Sequence, residues 1–328
     1  MKTYSLYFLL IILFISCSDE DKTLTPSYAD INWFELSDSP DELGHMCYEI
    51  YKNTNISVFY SDTIGRQFRG IDGYGDSIIH YEIINPQYTI ASATSTITYI
   101  LSYDRNAIRD GIMFLRDKVI PVLSPNTYPR SFLIVENLTL NATSTVANGQ
   151  REGQVFNGLM TTLVSNISKL STMSSEDQTR LAKQIASPIL QTYLNNTRRD
   201  ELENFYAVSD NSVTWPADAL STTAYQRLVN STIPPTNTGY LPYREHWNAY
   251  GFLISNPNSP GTLNGGPDVY TKFTTPTQAQ DVISFIEAVL TYSETEFQAL
   301  YENTVGYEFL IEKYRMIKKL LDEVRNNH

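Results

Sequence analysis

Two neighbouring stretches carry the fold class: "DRNAIRDGIMFLRDKVIPVL" (104–123) and, seven residues further on, "SFLIV" (131–135). In the first, Ile108, Ile112, Leu115, Val119 and Leu123 recur every three or four residues, the spacing of one helical stripe. Pro121 weakens that helix near its end, because proline has no N–H to donate and its ring crowds the preceding turn. The second stretch is a short, unbroken apolar run and reads as a buried strand.

Outward from this pair, strands are predicted early and helices late. Ser39-Pro40-Asp41-Glu42 has the form of a helix start, with Ser39 as cap, Pro40 at the first helical position and Glu42 completing a capping box. Leu43, Met46, Cys47, Ile50 and Tyr51 then predict a helix over 40–52 with Cys47 on its apolar face as an inert core thiol. Ile56, Val58 and Tyr60 alternate with polar residues as in a strand, and 78–84 and 89–99 are further β-prone segments. Helices are predicted over 154–170, 175–195, 276–291 and 294–325, the last with a broad core-facing stripe. The prolines and "NGGP" between 208 and 275 mark a loop-rich segment. The pattern favours an α+β fold, a small mixed sheet with several packed helices, in one domain over 39–328 with no internal repeat.

The N-terminus reads as an address. Residues 4–16 form an apolar run behind Lys2, too short for a spanning helix but matching the core of a secretory signal over 1–16. Phe14-Ile15-Ser16-Cys17 resembles the bacterial lipobox, which implies that Cys17 is lipidated and begins the mature chain. The acidic Asp19-Glu20-Asp21 is similar to the surface-export signal of Bacteroidetes lipoproteins, and 17–38 reads as a polar tether. The expected location is therefore the outer membrane, facing outward. Lipidation of Cys17 leaves Cys47 without an intrachain partner, which removes disulfide frameworks and cysteine-based zinc sites.

Composition narrows the chemistry. The chain has 328 residues and a net charge of −12, with its cations scattered, so it lacks the basic footprint that nucleic acid requires. No nucleophile elbow, phosphate loop, dinucleotide fingerprint, EF-hand or H-E-x-x-H occurs. Only four histidines exist. His45 and Glu49 stand four apart on the first helix as a solvated pair, His80 and Glu82 share a strand face, His246 lies in the late loops and His328 is terminal. A site built from His80, Glu82 and His246 would need three tertiary coincidences, and a glycosidase-like carboxylate pair is defined only in space.

The order of "VFYSD", "AIRDGIMFLRDKVIPVLSP", "PRSFLIVENL", "LENFYAVSDNSV", "YREHWNAYGFLI" and "GYEFLIEKYRMIKKLLDEV" resembles the zinc-binding metallopeptidase-type lipoproteins of Bacteroidetes, which are encoded beside Sus-like nutrient uptake systems. The resemblance implies a zincin-like scaffold. Its zinc helix corresponds to "IASPILQTYL" (185–194), where Ser187, Pro188 and Gln191 stand in place of the family's His, Glu and His. Serine and glutamine are poor zinc ligands, and proline is no base. The resemblance thus implies a metal-free, catalytically inactive accessory or binding protein of an uptake system, its ligand a glycan or a peptide. Expected contact residues are Trp215, Tyr243, His246, Trp247 and Tyr250, whose flat rings in loops suit stacking. No cofactor is expected; the alternatives are a hydrolase with a relocated metal site and a structural surface protein.

Overall fold

The computed structural model describes residues 31–87, 97–140, 151–215, 222–230, 240–241, 244, 246–256, 262–264 and 270–326. From Leu36 onward these belong to one compact unit. The first helix, α1 (Glu42–Thr54), is capped by Asp41, whose carboxylate accepts from the Gly44 amide at 3.3 Å. Ser39, the predicted cap, instead accepts from the Asp41 amide at 3.2 Å, because Asp41 is itself extended and the helix begins after it. Cys47 is buried as expected, and desolvation pushes its thiol up to about 12.

Strand β1 (Ser57–Phe59) follows, buried on both faces, so the alternation read in the sequence does not mark an exposed side. The next strands, β2 (Thr63–Ile71) and β3 (Ser77–Ile83), form an antiparallel hairpin. Of the predicted strand over 89–99, residues 89–96 lie outside the described residues and the remainder opens β4 (Ile97–Ile100). Helix α2 (Arg105–Phe114) starts on Asp104, whose carboxylate accepts from the amides of Asn106 and Ala107 at 2.9 and 3.5 Å. It runs into a π turn (Leu115–Val119) and a 3-10 turn (Ile120–Val122) and ends around Pro121. The predicted stripe of Ile108, Ile112, Leu115, Val119 and Leu123 is buried throughout.

The run at 131 forms β5 (Ser131–Ile134), with every residue buried. After β6 (Asn137–Leu140) and β7 (Arg151–Glu152), which complete a small sheet in the order β4-β6-β7, the chain enters 154–170. This segment was expected to be helical and is instead the hairpin of β8 (Val155–Asn157) and β9 (Thr161–Val164), followed by a 3-10 turn (Ile167–Thr172). Short apolar runs fit either period, and Gly158 with the β-branched Thr161-Thr162 decides for strand. The central sheet runs in the order β1-β5-β9-β8. Its first three strands are parallel, with Phe59 beside Leu133 and Leu133 beside Leu163, and β8 is an antiparallel edge with Asn157 beside Thr162.

Helices α3 (Ser175–Thr197) and α4 (Arg199–Asn211) follow almost without a break. Strands β10 (Leu228–Asn230), β11 (Tyr240–Leu241), β12 (Thr262–Asn264) and β13 (Tyr270–Thr274) make a second sheet within the loop-rich segment. The remaining helices are α5 (Gln278–Thr291), α6 (Glu294–Tyr301) and α7 (Tyr307–Asn326). The single helix expected over 294–325 is therefore two, broken at Gly306. There φ is +86°, and a Cβ would stand 2.2 Å from the Asn248 carbonyl oxygen, so only glycine fits.

Rings join the late helices: Phe205 on α4 meets Phe285 on α5 edge-on at 5.4 Å, and Phe297 on α6 stacks on Tyr314 of α7 at 4.3 Å. Each such ring contributes roughly 1.5–3 kcal/mol by burial. The class is α+β. Among the described residues no helix is long and apolar enough to cross a membrane.

Candidate functional site

Cys17 and Tyr243 lie outside the described residues. The other aromatic residues singled out in the sequence hold loops in place. Trp215 is half-buried against the core and donates its indole N–H to the Asp210 carbonyl at 2.9 Å. His246 is exposed; its Nδ1 accepts from the Asn248 amide at 3.3 Å and its ring lies 3.9 Å from that of Trp247. Trp247 donates to the Leu253 carbonyl at 3.0 Å and meets Phe273 of β13 edge-on. Tyr250 is fully buried, with the Arg244 guanidinium 4.9 Å from its ring centre, and so cannot stack on a ligand. Trp247 and Tyr250, expected in open loops, instead pack on the core, because the 3-10 turn Trp247–Tyr250 folds down onto β13 and α7.

The histidine expectations resolve similarly. His80 Nε2 lies 3.1 Å from Glu82 on β3, whereas His45 pairs with Asp38 at 2.7 Å rather than with Glu49. Among the described residues no three of His, Cys, Asp and Glu gather as metal ligands, so His80, Glu82 and His246 do not converge. Ser187 is buried and donates to the Lys183 carbonyl at 2.8 Å, and α3 continues through Pro188 to Thr197.

Sequence reasoning missed two polar sites. The first surrounds Lys313 of α7, which is wholly buried. Its Nζ donates to Asp281 Oδ2 at 2.5 Å, to Ser209 Oγ at 2.9 Å and to the Gly251 carbonyl at 3.0 Å. Tyr225 donates its hydroxyl to the same Asp281 oxygen at 2.7 Å, and the rings of Phe205, Phe252 and Phe285 stand within 4.3–5.0 Å of the ammonium. Burial pushes the Asp281 carboxyl up and the Lys313 ammonium down, each opposed by the other's charge. Serine beside lysine has the makings of a nucleophile and its base. Here, however, Ser209, Asp281 and Lys313 are all 0% exposed, so nothing can reach the serine. The cluster ties α4, α5, α7 and the Gly251 turn together. Its sequence signal was a lysine on the stripe of Leu310, Ile317 and Leu321.

The second site is open. A cleft of about 210 Å³ lies between the β8–β9 hairpin, one face of α3 and the loop that leads into β5. From α3 it takes Ile189, Thr192, Tyr193 and Asn196, a spacing that puts all four on one face. Asn126, Tyr128 and Arg130 come from the loop, and Asn157 to Thr162 form the opposite wall. Asn157 pins that wall to the helix, donating to Thr192 Oγ1 at 2.9 Å and to the Pro188 carbonyl at 3.3 Å while accepting from Thr162 at 2.7 Å. Gly158 turns the hairpin so close to Pro86 that a Cβ would stand 2.1 Å from its carbonyl oxygen. Leu159, 73% exposed, and Met160 form an apolar rim.

The lining offers amides, hydroxyls, phenols and one guanidinium, but no carboxylate, imidazole or thiol. Such a surface can donate, accept and stack, and it suits a polar ligand rich in hydrogen-bonding groups. Compared with known protein families, with characterised proteins and with solved structures, the chain matches none.

Proposed function

We propose that this chain is a lipid-anchored surface protein that binds a polar nutrient-derived ligand, glycan or peptide, in the cleft between the β8–β9 hairpin and α3. Acylated Cys17 holds it to the outer membrane, and the segment after it carries the fold outward. It serves a Sus-like uptake system by recognition, on a zincin-like scaffold whose zinc ligands are replaced.

The observation that carries the reading is the cleft's lining. Hydrogen-bonding groups without a carboxylate or imidazole converge on an open site, while the buried constellation around Lys313 is sealed. Amide and hydroxyl donors and acceptors, with the Arg130 guanidinium and two tyrosine rings beside them, match the demands of sugar hydroxyls and of peptide amides alike.

Screening the purified protein on glycan and peptide arrays, then titrating a hit calorimetrically, tests this. Tyr193→Ala should weaken the hit at least tenfold, by the loss of one stacked ring and its hydroxyl contact. Binding that ignores Tyr193→Ala would remove the cleft from consideration. Stoichiometric zinc in the purified protein would instead favour the hydrolase.

A further inference from the structure

Lys313 of α7 and Asp281 of α5 meet in the sealed core, both 0% exposed, with Nζ 2.5 Å from Oδ2. The two oxygens of the carboxyl group are held unequally. Oδ2 accepts from Nζ and from the Tyr225 hydroxyl at 2.7 Å, whereas among the described residues Oδ1 is buried with no hydrogen-bond partner. An ion pair with one bare oxygen is costly here, because each charge is desolvated and only a full set of partners offsets that. The rings of Phe205, Phe252 and Phe285 wall the pair off from water. Burial pushes the carboxyl group up and the ammonium down, toward a neutral acid beside a neutral amine. A neutral lysine amine is a nucleophile, and a neutral carboxyl group is an electrophile within its reach.

We propose that Lys313 and Asp281 become joined by an isopeptide bond, an amide from Nζ to the Asp281 Cγ that braces α7 to α5. The reaction is a condensation. A proton passes from the ammonium to the carboxylate, and the freed amine attacks Cγ. One C–N bond forms, the Cγ–Oδ1 bond breaks, and Oδ1 leaves as water with the acid's proton and one from the amine. No oxidant, reductant or activating group is consumed. Each part of the geometry has a place in this step. Cγ lies one C–O bond of about 1.23 Å beyond Oδ2, so it is within about 3.7 Å of Nζ, close to the separation of a poised reacting pair. Tyr225 donates to Oδ2, where negative charge develops as Nζ attacks and which stays as the amide oxygen. The bare Oδ1 is the atom lost. The hydrogen left on the nitrogen has the Gly251 carbonyl as acceptor, 3.0 Å from Nζ. The product carries neither buried charge nor orphan oxygen. The inference is independent of the ligand cleft.

Tryptic mapping of the full chain by mass spectrometry is the test. Trypsin cuts after lysine and arginine, and neither occurs between Lys272 and Lys313, so both partners fall on one peptide. The expected product runs from Phe273 to Arg315, uncut at Lys313 and lighter than its sequence by one water, about 18 Da. Its fragmentation should release no backbone ions from inside the ring closed by residues 281 and 313. In Lys313→Met with Asp281→Leu the deficit should vanish; the wild-type peptide decides the question even where that variant folds poorly. A wild-type peptide that ends at Lys313 with its full sequence mass would overturn the proposal. The pair would then be ionic, the case in which the double variant regains stability. A one-water deficit that persists in the double variant would overturn it as well.

Discussion

The polar cluster around Lys313 and the polar cleft beside α3 differ in what surrounds them. Around Lys313 are an ammonium, a carboxylate, a serine and a phenol, all excluded from water and walled by phenylalanine rings. In the cleft by α3 are amides, hydroxyls and phenols that stand in the open. Around Lys313, groups that could do chemistry are packed where nothing can enter; in the cleft by α3, where a ligand can enter, the groups suit recognition. The comparison also explains the energetics of each. A buried ion pair is supported only by its full set of partners, whereas exposed amides remain hydrated when a ligand is absent.

The largest expected effect comes from breaking the sealed site. Lys313→Met should lower unfolding stability by about 3–5 kcal/mol, because it leaves Asp281 buried without its counter-charge. The double variant Lys313→Met with Asp281→Leu should recover most of that loss in urea denaturation if the pair is structural. Failure of the double variant to recover would point to a further partner, for which the buried, unpartnered Asp281 Oδ1 is the natural place.

Next is the wall of the open site. Gly158→Ala forces a Cβ against the Pro86 carbonyl, so the β8–β9 hairpin must move. A loss of about 1–3 kcal/mol is expected by thermal denaturation, together with weakened ligand binding. Asn157→Ala removes two hydrogen bonds that join hairpin to helix and one within the hairpin, and should cost about 1–2 kcal/mol while opening the cleft. Neither change should alter the environment of Lys313.

The smallest effect is at the surface, where Arg105 holds the Asp41 carboxyl, and Arg109 that of Glu42, below the usual carboxylate range. Groups with lowered native values add stability above their ordinary pKa and lose it as pH falls through the lowered one. Urea midpoints should therefore fall slightly in acid, below about pH 4, and slightly less so in Arg109→Ala. A strong acid dependence that Arg109→Ala leaves untouched would place the titrating group elsewhere.

How much of this was legible in the sequence depended on how local each feature is. The helix at 104 and the strand at 131 were legible because their apolar residues recur at one clean period and the stripe is buried throughout. The segment 154–170 was not, because a short apolar run fits both periods until Gly158 and its neighbours are weighed. Lys313 was visible as a charge on an apolar stripe, but its partners Ser209, Gly251 and Asp281 lie up to 104 residues away. The cleft had still less signal. Its walls come from 126–130, 157–162 and 189–196, which meet only because β5 and β9 pair in parallel and α3 returns across their edge. The aromatic residues of the late loops attracted attention by type, and tertiary packing gave them another role.

Hydrogen–deuterium exchange of the protein with and without its array-identified ligand tests the central claim most directly. The account predicts that ligand slows exchange in 126–130, 157–162 and 189–196 and leaves the segments around Ser209, Gly251 and Lys313 unchanged. Protection concentrated around Ser209 and Lys313, with the cleft segments unaffected, would contradict it.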